Sequence, residues 1–141
     1  MAMNIFEHIK KEHREVEQML RKLSGGFDRP IFDKLNLSLQ AHMQAEEGSL
    51  YPAMEDGASE MVHHAQEEHD QVRQMLQRLE GGSGAEASRL ISELTQAIQD
   101  HVQEEENEMF PKAQGMFDQG TIKELSDKFE EIDERIMQRA R

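Results

Sequence analysis

The segment HMQAEEGSLYPAM (His42 to Met54) returns further along the chain as HVQEEENEMFPKA (His101 to Ala113). In each, a glutamate follows a histidine by four residues, and an aromatic residue with proline comes next. His42 and His101, Glu46 and Glu105, and Pro52 and Pro111 all stand 59 positions apart. A second pair extends the pattern: KEHREVEQMLRKLSGG (Lys11 to Gly26) matches EEHDQVRQMLQRLEGG (Glu67 to Gly82) at an offset of 56. Both members end in Leu, a polar residue and Gly-Gly, the signature of a helix C-terminus running into a turn. A duplication of this kind predicts two helical hairpins of one design, with connections that differ by three residues.

Apolar spacing predicts helices over about 3–24, 30–55, 58–80 and 85–114. Asp28 with Pro30 suits the start of the second, and Ser83 or Gly84 the start of the fourth. The first helix carries Phe6, Ile9, His13, Val16, Leu20 and Leu23 on one stripe, and the second Phe32, Leu35, Leu39, His42 and Glu46. The third carries Val62, Ala65, His69, Val72, Leu76 and Leu79, and the fourth Ala87, Ile91, Leu94, Ile98, His101, Glu105 and Met109. Four such stripes predict an all-α, up-down-up-down four-helix bundle over about 3–115, in a single domain of residues 1–141. An extra C-terminal helix is expected over about 119–140, with Ile122, Leu125, Phe129, Ile132 and Ile136 at helical spacing. It would pack outside the bundle or pair the chain with a second copy, so monomer and homo-oligomer both stay open.

Composition excludes several classes. Twenty-nine acidic against sixteen basic residues give a net charge of −13, which opposes binding to nucleic acid or an anionic membrane. There is no cysteine, so disulfides, thiolate metal sites and cysteine nucleophiles are absent. The apolar runs are too short to span a bilayer and no signal-peptide core opens the sequence, so a cytoplasmic location is the expectation. GGSGAE (Gly81 to Glu86) lacks the Gly-Lys-Ser/Thr of a phosphate-binding loop and reads as a turn between helices.

The stripes carry an electrostatic problem. An unpaired carboxylate in a dry core costs several kcal/mol, or its pKa shifts until it is neutral. Leucine would avoid that cost, so the two inward glutamates call for compensation. Metal ions supply it, because they bring positive charge and accept imidazole lone pairs. Residues four apart on a helix project the same way. Each His-x-x-x-Glu therefore offers one nitrogen and one carboxylate at similar depth. The candidate ligands are His13, His42, Glu46, His69, His101 and Glu105. Each of two ions could take two histidines and share both glutamates. A lone His-x-x-x-Glu is usually a surface pair, but six such residues on four facing stripes are not accounted for that way. Glu47, Glu104 and Glu106 lie beside the stripe and read as solvated face, with Glu106 the one placed to replace Glu105. His8, His63 and His64 fall off the stripe, His64 being nearest to the site.

The combination of His13, H-x-x-x-E at His42 and Glu46, E-H at Glu68 and His69, and a second H-x-x-x-E at His101 and Glu105 resembles the hemerythrin-like family, also called the HHE cation-binding domain. The aromatic-proline steps Tyr51-Pro52 and Phe110-Pro111 add to the likeness, which runs to about Gly115. It implies two non-haem iron ions bridged by carboxylates and an oxo or hydroxo group, with manganese or zinc as other occupants. It also implies O₂ or another small oxidant as partner. Oxygen-carrying hemerythrins have two histidines one turn apart in the third helix and H-x-x-x-x-D in the fourth. Here Ala65 and Arg73 flank His69 by one turn, and Glu105 stands four residues after His101. One imidazole fewer leaves a coordination position for an exogenous ligand, which favours reaction over reversible carriage. The readings are a diiron protein that binds or reacts with O₂ or peroxide, with weak oxidase or peroxidase activity, an iron storage or iron-sensing module, and a metal-free helical interaction protein.

Overall fold

The computed structural model describes residues 4–81 and 84–139. Asn4 begins α1 (Ile5–Ser24) by accepting the Glu7 amide on its side chain at 2.9 Å. The next turn uses Gly26 at φ 148°, a conformation side chains resist. Asp28 then caps α2 (Arg29–Glu47) through the Ile31 amide, with Pro30 in the first turn as expected.

The second helix departs from its predicted continuous span to residue 55. It stops at Gly48, and a short α3 (Leu50–Met54) comes next. After α4 (Ser59–Gly81) and α5 (Gly84–Glu104), the fourth helix is interrupted at the matching place. There Glu105–Met109 form a wider π-helical turn before α6 (Phe110–Met116). Proline explains both. Pro52 and Pro111 lack an amide proton, and their rings crowd the carbonyls four residues back, at Gly48 and Asn107. The α-helical ladder yields just beyond each inward glutamate. Gly84 opens α5; Ser83, the other expected start, and Gly82 of the Gly-Gly turn lie outside the described residues.

The four long helices form the up-down-up-down bundle, and α7 (Gln119–Arg139) packs on its outside against α2 and α1. Every residue of the four predicted stripes is buried. The core nevertheless falls into two apolar clusters, one around Leu20, Phe32, Leu76 and Leu94, the other around Ile9, Leu50, Phe110 and Phe129. The inward histidines and glutamates form the layer between them.

The stripe of α7 differs from expectation. Leu125 and Phe129 are buried, but Ile132 and Ile136 are only partly covered, and the third buried side chain is Asp133. Phe129 is fully enclosed and stands edge-on to both His8 and His42, at ring distances of 4.9 and 6.0 Å. No described helix is long and apolar enough to cross a membrane.

Removing the Phe129 ring empties a closed site. Phe129→Ala is expected to lower unfolding free energy by about 3–5 kcal/mol. Phe27→Ala, at the one exposed large apolar side chain among the described residues, should stay within about 1 kcal/mol. Urea unfolding of the two variants makes the comparison.

Candidate metal centre

The six residues singled out in the sequence come together. One group comprises His13, His42, Glu46 and Glu105, and the other Glu46, His69, His101 and Glu105. In each group the potential ligand atoms lie within 4.8 Å of one another, and all six residues are buried. Glu46 and Glu105 belong to both groups, so two ions held here would share both carboxylates. That is the arrangement expected from the duplicated His-x-x-x-Glu.

Distances within the layer show why it is incomplete as a protein-only structure. His13 Nε2 is 3.1 Å from Glu105 Oε1, and His42 Nε2 is 3.2 Å from Glu46 Oε1. His101 Nε2 is 3.2 Å from Glu105 Oε2. These atoms are close but not aligned for hydrogen bonding. Nε2 of His13, His42 and His101, Oε2 of Glu46 and Oε1 of Glu105 are buried with no hydrogen-bond partner among the described residues. Orphaned buried polar atoms are costly. Five in one layer, all of metal-ligating type, fit a cation pair.

The opposite nitrogen of each ring is held from behind. His13 Nδ1 meets Glu106 at 2.7 Å, and His42 Nδ1 meets Glu12 at 2.8 Å. His69 Nδ1 meets Glu47 at 2.7 Å, and His101 Nδ1 meets Glu68 at 2.9 Å. A carboxylate at Nδ1 holds a proton there and turns Nε2 inward, so that Nε2 is the nitrogen that serves a metal once it gives up its own proton. The duplication repeats this outer set as well: Glu12 and Glu68 precede His13 and His69, and Glu47 and Glu106 come directly after Glu46 and Glu105.

These contacts correct the reading of Glu47 and Glu106 as solvated face. Glu106 does not replace Glu105; it orients His13 and is anchored by Arg14 at 2.6 Å. Glu47 orients His69 and accepts two bonds from Arg73, at 2.9 and 2.7 Å. Sequence reasoning passes over Glu12 altogether and picks out Glu68 only within the E-H step. The signal lies in the repeated acidic neighbours of the inward residues, but a lone helix shows them pointing sideways. His8 stands off the central layer as expected, yet reaches Glu12 at 3.2 Å and through it backs His42. His63 pairs with Glu55 at the surface.

Tyr51 is a further participant. Its hydroxyl donates to Glu105 Oε2 at 2.6 Å, with Glu46 Oε1 at 3.4 Å and His69 Nε2 at 3.2 Å. Its counterpart 59 positions on, Phe110, has no hydroxyl and packs on Phe6.

A family model for the hemerythrin HHE cation-binding domain matches residues 4–113. The chain belongs to that family. Over 97% of its length this hemerythrin-family chain is 24% identical to a DNA nickase from Nostoc sp. (strain PCC 7120), and it spans 41% of that relative's length. Among solved structures it is similar to the Rv2633c homolog from Mycobacterium kansasii, a hemerythrin HHE cation-binding domain-containing protein. The TM-score is 0.84 at 24% identity, covering 96% of this chain and 88% of that one. That likeness establishes the shared fold.

Protons compete with ions for this hemerythrin-type layer. Burial would push His101 down, but Glu105 and Glu68 outweigh it and raise the imidazole from 6.5 to about 10. His13 and His42 are raised against the same opposition of burial, by Glu105 with Glu106 and by Glu46 with Glu12. Ions must displace these protons. A raised imidazole pKa means that proton competition is strongest below 6.5 and persists until the pH passes about 10. Metal affinity is therefore expected to keep climbing as pH rises above neutrality. Loading near pH 7 should release protons, which an indicator dye in weak buffer will count.

The outer carboxylates give a second expectation. Glu47→Gln and Glu106→Gln preserve size but remove the charge that holds His69 and His13. Each should weaken metal binding by about 10–100-fold in a chelator-competition titration.

Proposed function

We propose that this protein is a non-haem diiron protein that binds O₂ or peroxide and reacts with it. The observation that carries this reading is the pair of four-residue groups sharing Glu46 and Glu105, with five unpartnered ligand-type atoms between them. His13 and His42 would hold one ion and His69 and His101 the other, with both glutamates common to the two. Two ferrous ions bound there would supply the two electrons that take O₂ to the level of peroxide.

The chain's own groups govern access and proton supply. Four histidines and two shared carboxylates leave room for an exogenous ligand. A small cavity of about 20 Å³, close to what one water requires, lies against all four imidazoles. Its other walls are apolar, among them Val16, Leu39, Val72 and Ile98, so water has little hold there. Without ions, burial first, and then Glu105 and Glu46, push the Tyr51 hydroxyl well above its usual range. The Tyr51 phenol donates to Glu105 at 2.6 Å, and its proton would reach reduced oxygen by way of that carboxylate. With an acidic chain of net charge −13, nucleic acid is not the proposed partner, and the nicking activity named for the Nostoc relative is not carried over.

Protein purified without air should contain two irons per chain. On exposure to air it should convert irreversibly to a diferric form with a new absorption band, and that form should bind azide. Tyr51→Phe should keep both ions and slow peroxide turnover by ~10²-fold. A zinc-only protein without spectral change would overturn the proposal. A stable oxygenated form that releases O₂ under argon through repeated cycles would return the protein to the carrier class.

A further inference from the structure

The four outer carboxylates differ in their backing. Glu47 meets Arg73 and Glu106 meets Arg14, both permanent cations. Glu12 backs onto His8, and Asp133 of α7 closes that group from outside, at 3.6 Å from His8. Glu68 backs onto His64, 56 positions after His8, and its third member is Glu104. His64 Nε2 lies 3.4 Å from Glu68 Oε2 and 3.0 Å from Glu104 Oε2. Among the described residues no helix covers this second group: the His64 and Glu104 side chains are 59% and 41% exposed.

A surface cluster alone would mean little, but this one stands over a cavity that borders the buried layer. A cavity of about 40 Å³ is lined by His64, Glu68 and Glu104, by Ala65, and by His101 and Glu105 of the buried layer. His101 carries an unpartnered Nε2, 3.2 Å from Glu105 Oε2. In the other half Ile9 stands where Ala65 does here, fully buried. The cavity beside His8 touches Glu12 but none of the six central residues. Among the described residues no lysine or arginine lines the cavity under His64.

The geometry points to a third, solvent-facing divalent-cation site made by His64, Glu68 and Glu104, from which ions pass Ala65 into the buried centre. One imidazole and two carboxylates suit the same borderline cations as the centre itself. An ion captured there exchanges part of its water for protein ligands while still exposed, which divides the cost of burying its charge into steps. Glu68 joins the two places, with Oε1 on His101 Nδ1 and Oε2 facing His64. The inference rests on metal binding at the centre and not on its chemistry with O₂.

Metal-free full-length protein titrated with Co(II) under nitrogen tests it, with uptake counted by equilibrium dialysis and filling monitored by stopped-flow absorbance. The wild type should take up two tightly held ions and a third, weaker one. A His64→Ala/Glu104→Gln variant should keep the two and lose the third, and its centre should fill slower by about tenfold or more. Ala65→Leu, which leaves the surface group intact, should keep the third ion and also fill slowly. A wild type that binds only two ions overturns the site, and either variant filling at the wild-type rate overturns the route. Loss of the two tight ions would instead be a failure of the diiron reading, so the two failures are told apart.

Discussion

Glu46 and Glu105 bring two negative charges into the middle of an apolar bundle, with side chains 0% and 1% exposed. Four imidazoles surround them, and three of these are raised in pKa by the contact. Protons can balance the layer, but only partly, since five ligand-type atoms find no hydrogen bond there. The arrangement makes physical sense as a cation cage. Breaking one partner of such a layer leaves an uncompensated buried charge, so the histidines, glutamates and ions belong to one balance. The apolar clusters on either side are joined across this layer, and the tightness of the bundle's middle depends on how it is filled.

Rigidity at the centre is built outward. Each inward nitrogen is aimed by a carboxylate behind it, and two of those carboxylates are fixed in turn by Arg14 and Arg73. Glu47 shows the consequence: burial opposes its ionisation, but His69 and Arg73 hold its carboxyl down at about 2. A charge anchored on both sides leaves the imidazole little freedom to turn. The neighbouring positions Glu46-Glu47 and Glu105-Glu106 thus divide two tasks, one facing the ions and the other facing a histidine. The early end of α2 and the π-helical turn after α5, both forced by proline, fall beside these pairs.

The features legible in the sequence are those that depend on the period of one helix. All four stripes, and the six side chains that meet at the centre, come from residues three and four apart pointing one way. Relations between helices are less accessible. Glu12, Glu47, Glu68 and Glu106 lie off the stripe of their own helix, and each finds its histidine on another. The same limit conceals Asp133, which breaks the apolar pattern of α7 yet is buried because His8 and Glu12 of α1 lie opposite it. Tyr51 is visible as an aromatic-proline step, but only the break at Gly48 sends its hydroxyl into the layer.

Duplication alone would give a centre with two equivalent ends, and the structure departs from that in three places. Phe129 and Asp133 of α7 cover the end where Ile9 and His8 lie, while at the matching end the smaller Ala65 is buried but borders a cavity and His64 is exposed. A hydroxyl stands at Tyr51 and not at Phe110. The carboxylate that completes the outer group comes from α7 in one half and from Glu104 in the other. All three differences act in the same sense. They cover the half containing His13 and His42, and they place the Tyr51 hydroxyl and the more exposed outer group on the half containing His69 and His101. A symmetric cage supplies matched ligands for two ions, but directing a small molecule to one of them requires that the two halves be unlike. Here the added helix and a few single-residue changes supply that difference without disturbing the six residues at the centre.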